Sequence, residues 1–257
     1  MPADHPSVIG YVAAKEKLAG RPILDLTKTP PPLRGADGVR RVAGIDVSFY
    51  QGSVDWPKVA AAGVQFVFIK ATEGRRKPDS RFAHHWDQAG QAGLFTGAYH
   101  FMRSTTGGKD QARRFLDAVA DRYESERALP PVLDLEAAGL KEKEILIWLD
   151  LVRTELGWTP LVYLNFDFAS RYSFKPATVG AFPLWFAQYP LRFRDNGRPF
   201  EPLHISEQKT WKGWDFWQFS ETGKVPGIEN GYVDLDVFHG SLADLATWRS
   251  RLKNASQ

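Results

Sequence analysis

Eight short β-rich runs, the early ones separated by helical stretches, constrain this sequence more than any other feature. In chain order they are VAGIDVSFY, FVFIKAT, LFTGAYHF, PVLDLE, PLVYLNF, PLWFAQY, DFWQFS and YVDLDVF. Helical candidates at residues 56–63, 80–93, 109–123 and 142–156 lie between the early runs. Strands that alternate with helices of this length form parallel βαβ units, because a parallel pair needs a long crossover. Eight such strands in one domain of about 215 residues predict an α/β barrel rather than an open sheet. After Trp185 the runs crowd together and leave no room for full helices, so the last third is expected to be strand-rich and irregular.

The segment TPPPLRGADG, at residues 29–38, joins a proline run to glycine turn signals and reads as a stiff linker. A boundary near Arg41 divides an N-terminal extension, 1–41, from a single large domain, 42–257. Within the extension, residues 8–18 read either as a short helix packing on the domain or as a tail. The start of the chain lacks a basic region and places Lys15, Glu16 and Lys17 where a signal peptide needs apolar residues. No apolar run approaches the roughly 18 residues of a membrane span. With no cysteine, the chain has no disulfide, thiolate metal site or cysteine nucleophile. Its 33 Lys and Arg against 30 Asp and Glu are scattered, which argues for no nucleic-acid partner and at most a mild preference for an anionic polymer.

The runs share a second property. Each starts apolar and finishes polar or aromatic: Asp46 and Ser48, Lys70 and Glu73, Tyr99 and His100, Asp134 and Glu136, Tyr163 and Asn165, Gln188 and Tyr189, Trp217 and Gln218, Asp234 and Asp236. In a parallel barrel all C-terminal strand ends meet at one rim, so these groups are expected to converge on one cleft. Asp134 and Glu136, two apart on one strand, point the same way roughly 6 to 7 Å apart. Paired carboxylates around an acetal oxygen are the apparatus of glycoside hydrolysis, one protonated to donate and one charged. Like-charge repulsion raises the pKa of one member, and Glu136 is assigned as the general acid. The alternative is that it closes the turn before Ala137 and Ala138.

The rim also gathers Tyr99, Tyr163, Trp185, Tyr189 and Trp217. Singly, each reads more readily as core than as a platform; as a group at strand ends they suit the apolar faces of sugar rings. Competing constellations fall away. His84 and His85 are adjacent in a helical stretch and share no face, and no HExxH is present. GGKD at residues 107–110 lacks a phosphate loop's pattern, with Arg103 in place of the first glycine and Asp110 in place of Ser or Thr. No GxSxG elbow appears.

From about Val42 to about Leu242, four fifths of the chain, the sequence resembles the glycoside hydrolase family 25 lysozymes, the Chalaropsis-type N-acetylmuramidases. The residues that carry the resemblance are GIDVSFYQG at 44–52, FVFIKATEG at 66–74, GAYHF at 97–101, VLDLE at 132–136, VYLN at 162–165, LWFAQY at 184–189, FWQFS at 216–220 and VDLDVFHGS at 233–241. Eight motifs in the right order are specific where any one is weak. The resemblance implies a modified TIM-like barrel with eight strands and fewer helices, roughly (β/α)5(β)3. It implies hydrolysis of the β-1,4 bond between N-acetylmuramic acid and N-acetylglucosamine in bacterial peptidoglycan, by a monomer with no cofactor or metal, acting outside the cytoplasm. The family's acidic cluster falls on Asp46, Asp134, Glu136 and Asp234. Glu136 would donate the proton, and Asp134 would act as nucleophile or orient the substrate's own 2-acetamido group. Substrate contacts are expected from Tyr99, Tyr163, Asn165, Trp185, Gln188, Tyr189, Trp217, Gln218, Lys70 and Glu73. A chitinase-like or glucosaminidase hydrolase is the alternative among enzymes, although its DxDxE signature meets Val132 where it needs Asp. A non-enzymatic glycan-binding barrel is the alternative outside enzymes, disfavoured by the intact acidic cluster.

Overall fold

The computed structural model describes residues 33–35, 37–119, 121–189, 201–202, 210–229 and 231–254, with the backbone of 24–25. The reading of residues 8–18, and the proline run itself, lie outside the described residues. Strand β1 (Leu24–Asp25) is a two-residue addition to the edge of the sheet. The barrel strands are β2 (Val42–Val47), β3 (Phe66–Glu73), β4 (Phe95–Phe101), β5 (Val132–Asp134), β6 (Leu161–Asn165), β7 (Leu184–Ala187), β8 (Phe216–Lys224) and β9 (Val233–Phe238). Each pairs with the next, and β9 returns to β2, so the eight close into a barrel. Five helices follow the first five barrel strands: α1 (Trp56–Ala61), α2 (Phe82–Gln91), α3 (Gly108–Val119), α4 (Glu142–Leu156) and α5 (Phe166–Arg171). The architecture is therefore the expected (β/α)5(β)3, completed by a helix α6 (Leu242–Asn254) that the crowded last third gave no reason to expect.

All neighbouring pairs from β2 round to β8 are parallel, whereas β9 is antiparallel to both β8 and β2. Only residues 225–232 separate β8 from β9, too few for a crossover, so the chain must turn straight back. This corrects the expectation that every run brings its C-terminal end to one rim. For β9 it is the N-terminal end, Val233 and Asp234, that reaches that rim, and Asp236 lies one step deeper rather than further out.

Both faces of the strands are buried, which is why they read as nearly continuous apolar runs. Val67 and Ile69 of β3 point outward into the layer beneath the helices, while Phe66 and Phe68 point into the barrel. There Phe68 stacks on Trp185 at 4.5 Å between centroids, and Phe216 meets Phe66 and Phe68 edge-on, both at 5.0 Å. Gly44 and Gly97 make room for these rings: a Cβ on Gly44 would lie 2.2 Å from the Phe66 ring, and one on Gly97 2.4 Å from that of Phe68. Leu245 and Trp248 of α6 join the same inner cluster and close the bottom of the barrel. The lower barrel is thus packed solid, and polar side chains occupy only its upper end.

The described part of the N-terminal extension lies on the barrel. Leu33 is buried, its carbonyl accepts from the Arg41 N–H, and the buried Arg41 guanidinium sits 5.7 Å over the Trp214 ring. No helix among the described residues is long and apolar enough to cross a membrane.

Candidate active site

A cavity of about 380 Å³ opens at the upper rim. Seven parallel strand ends and the start of β9 feed it, mostly by simple alternation: a residue two beyond an inward-facing core residue also faces inward, but above the packed rings. Asp46 stands two beyond Gly44, Lys70 two beyond Phe68, Asp134 two beyond Val132, Tyr163 two beyond Leu161, and Gln218 two beyond Phe216. Asp46, Lys70, Tyr99, Asp134, Glu136, Tyr163, Trp185, Tyr189, Gln218 and Asp234 all line the cavity. Asp46 and Asp234 are direct partners across the β2 and β9 pair.

A profile of glycosyl hydrolases family 25 matches residues 45–228. The chain belongs to that family. It is 34% identical over 222 residues to protein YegX of Escherichia coli strain K12, covering 82% of this chain and 75% of that one, and 33% identical over 222 residues to Lysozyme M1 of Streptomyces globisporus, covering 79% and 70%. Among solved structures it resembles the bacterial lysozyme from Streptomyces coelicolor, with a TM-score of 0.66 and 31% identity over 84% of this chain and 98% of that one.

Hydrogen bonds tie the acids of this family 25 site to their neighbours. Asn165 Nδ2 donates to Glu136 Oε1 at 2.7 Å, and the Tyr163 hydroxyl lies 3.4 Å from the same oxygen. That hydroxyl makes its shorter bond, 2.9 Å, to Gln218 Oε1, which also accepts from Tyr189 at 2.6 Å. With its oxygen so engaged, Gln218 presents its amide to Asp46 Oδ2 at 2.6 Å. Asn165 is itself fixed, because its Oδ1 caps α5 by accepting from the Phe168 N–H at 2.8 Å. A chain of oriented amides and phenols therefore runs from Glu136 to Asp46.

Asp134 is treated differently. It is buried, and its Oδ1 has no hydrogen-bond partner among the described residues. Burial pushes the carboxyls of Asp46, Asp134, Glu136 and Asp234 above the usual range; the Glu136 charge pushes Asp134 further up, while the bonds from Asn165 and Tyr163 work against the rise at Glu136. Burial also raises Tyr99, Tyr163 and Tyr189, which keeps them neutral donors. Beneath the cavity Asp236 is fully buried. Its Oδ1 accepts from Trp185 Nε1 at 2.9 Å, and its carboxyl touches that of Asp46.

Several residues expected at the cleft do not line it. Trp217 faces the opposite way from Phe216 and Gln218, packs on Trp214 and Phe219, and gives its Nε1–H to the Gln188 carbonyl at 2.9 Å. Gln188 engages β8 with its backbone, its N–H donating to the Gln218 carbonyl. Glu73 stands just outside, bonded to Lys70 and Arg103, and Asn165 reaches the cavity only through Glu136. His100 turns into the outer layer, hydrogen-bonded to Thr72 and Gln111 and stacked on Trp148. The cavity also holds residues outside the expected substrate contacts: Tyr50, Gln51, Phe101, Glu221 and Tyr232. Phe101 follows Tyr99 by two and was open to alternation. Glu221 was not, because register shifts on either side of Ser220 break the two-residue period of β8.

Proposed function

We propose that the protein is a muramidase that hydrolyses the β-1,4 bond between N-acetylmuramic acid and N-acetylglucosamine in bacterial peptidoglycan, with Glu136 as general acid and Asp134 as the group that orients the 2-acetamido substituent. One observation carries the assignment of roles: Asn165 holds Glu136 by Oε1, which leaves Oε2 to carry the proton toward the leaving oxygen, while Asp134 beside it is buried with a free acceptor oxygen. Glu136 protonates the glycosidic oxygen as the C1–O bond breaks. The acetamido carbonyl oxygen attacks C1 from the other face, and Asp134 accepts the amide N–H, stabilising the positive charge of the oxazolinium. Glu136, now a carboxylate, takes a proton from water, which opens the ring at C1 and restores the acid. Two acids on one strand face the same side of the bond, which favours the substrate's own oxygen over Asp134 as nucleophile. Asp46 and Asp234, linked to the pair through Gln218 and by proximity, set its charge and hold sugar hydroxyl and amide groups.

In the same reading the catalytic domain is 42–257 with 1–41 as its extension. The enzyme works as a monomer outside the cytoplasm, where its substrate lies. Lysozymes stand among its relatives.

Purified peptidoglycan digested with the enzyme, reduced with borohydride and examined by mass spectrometry will carry reduced muramic acid at the new ends. Reduced glucosamine there would overturn the reading. Glu136→Gln is expected to lower the rate by at least about 100-fold, the loss typical of a missing general acid, while sedimentation with cell walls is retained. Undiminished lysis would remove Glu136 from its role. A covalent glycosyl adduct on Asp134, trapped with a slow substrate, would replace the substrate-assisted route by direct attack.

A further inference from the structure

The acidic cavity has a basic shoulder. Lys70 lines the cavity, and its Nζ lies 5.2 Å from the centroid of the Phe101 ring, whose other cationic neighbour is Arg103 at 4.5 Å. Arg103 then lines a second, separate pocket of about 200 Å³, formed by the loop after β4 and the loop that follows Glu136. Ser104, Thr105, Thr106, Lys141 and Glu144 complete its polar lining. Beside Arg103, where Arg76 shares the Glu73 Oε1 atom with it, the loop after β3 exposes Arg75, Arg76 and Lys77. Glu73 is held by Lys70, Arg103 and Arg76, and Glu144 accepts from the Gly108 N–H. These two carboxylates are outnumbered, and neither Arg75 nor Lys77 forms an ion pair among the described residues. Cations thus run from inside the cleft, across the rim, to a polar pocket directly beside the loop of the proposed acid.

We propose that this line of cations, from Lys70 over Arg103 to Lys141, is a subsite for the acidic stem peptide that muramic acid carries in peptidoglycan. The inference rests on the muramidase reading and goes beyond it to what the muramic residue bears. In this proposal a muramic ring lies over Asp134 with its lactyl group toward the mouth of the cavity, and the peptide it carries crosses the rim beside Lys70. The 200 Å³ pocket accepts a short polar segment, and Arg103, Lys141 and the loop at 75–77 meet its carboxylates. Arg103 is oriented for this by its bonds to Glu73 and its position over Phe101, so little of its freedom is lost on binding.

The test compares two soluble glycan oligomers that differ in one respect: the stem-peptide carboxyls are free in one and converted to amides in the other. The wild type is expected to cleave the free-acid form with a kcat/KM about three- to tenfold higher, carried mainly by KM, the effect of two exposed charge contacts. About 0.5 M NaCl should bring the ratio near one, since exposed charges are screened at that ionic strength. The double variant Arg75→Glu with Lys141→Glu changes only exposed side chains and should bring the ratio to one or below at low salt, with Tm unchanged. Equal cleavage of the two glycans by the wild type, or a preference that survives in the variant, overturns the subsite while leaving the muramidase reading intact. Cleavage of neither glycan would strike that reading itself.

Discussion

Asp236 is the least expected acid in the molecule, since nothing about its position in VDLDVF marks it as the deepest. Its Oδ2 is buried with no N–H or O–H donor among the described residues, and the group it touches is another carboxyl, that of Asp46. A carboxyl pair in contact holds together by sharing a proton. Facing the pair are Asp234 on the same strand, Glu136 beyond Asp46, the Gln218 amide and the Trp185 indole. In Asp236→Asn the new amide donates to Asp46, and the remaining oxygen still accepts from Trp185. Asp46 should then ionise at lower pH, and the acid limb of kcat/KM should move down by about one pH unit or more. A lowered rate with an unmoved profile would make Asp236 a packing residue only. Asp46, Asp134 and Glu136 were legible from the polar ends of apolar runs, since alternation carries them above the core, whereas Asp234 reaches the cavity from the start of β9 and Glu221 was hidden by the shifts in β8. The failures at Trp217 and His100 have one cause: alternation tells which residues share a face, but not which face looks inward.

At the level of elements, α1 to α4 were legible from their spacing between runs, and α5 was not, because it starts at Phe166, on the last residue of the run PLVYLNF. The closing helix α6 did leave a mark. Ser241 and Asp244 exchange the hydrogen bonds of a capping box, with the Ser241 N–H donating to Asp244 Oδ2 at 2.9 Å and the Asp244 N–H to Ser241 Oγ at 3.2 Å. That signature starts on Ser241, the last residue of the motif VDLDVFHGS, and ends three residues past it. The direction of β9 was hidden by reasoning about strands in isolation, although the short span before it forbids a crossover. The glycines of GIDVS and GAYHF have their explanation here rather than in catalysis, because Phe66 and Phe68 occupy the space a side chain would need. Gly44→Ala is expected to cost about 1 to 3 kcal/mol, the usual penalty of overpacking a core, and to lower the midpoint of urea unfolding without lowering activity below the midpoint. A neutral substitution would mean that Phe66 has another rotamer available.

Across the whole molecule, the buried ionisable groups pull stability in opposite directions with pH. Asp46, Asp134, Asp234 and Asp236 ionise above their unfolded range, so the folded state holds more protons than the unfolded one and stability falls as pH rises from about 4 toward their folded values. His85 and His100 do the reverse. Burial takes both from 6.5 to about 4, so the unfolded chain binds the extra proton, and stability is lost as pH falls through that window, by roughly 3 kcal/mol for each fully shifted histidine. Glu73 adds to the acid side: although its partial burial works the other way, Lys70 and Arg103 hold it down at about 2, so its contribution disappears as pH falls from 4.5 to 2. Between pH 4 and 6.5 the two histidines offset only part of the change from the four carboxyls, above 6.5 only the carboxylates act, and below about 4 the loss comes from Glu73 and the last of the histidine protonation. Tm measured from pH 3 to 9 should therefore peak near pH 4 and fall on both sides. The alkaline fall belongs to the cavity, where buried acids are costly to charge, so Asp236→Asn should flatten it and leave the acid fall unchanged. A Tm that rises steadily to pH 9 would show that the buried carboxyls ionise without strain, and that the cleft is wetter than its packing indicates.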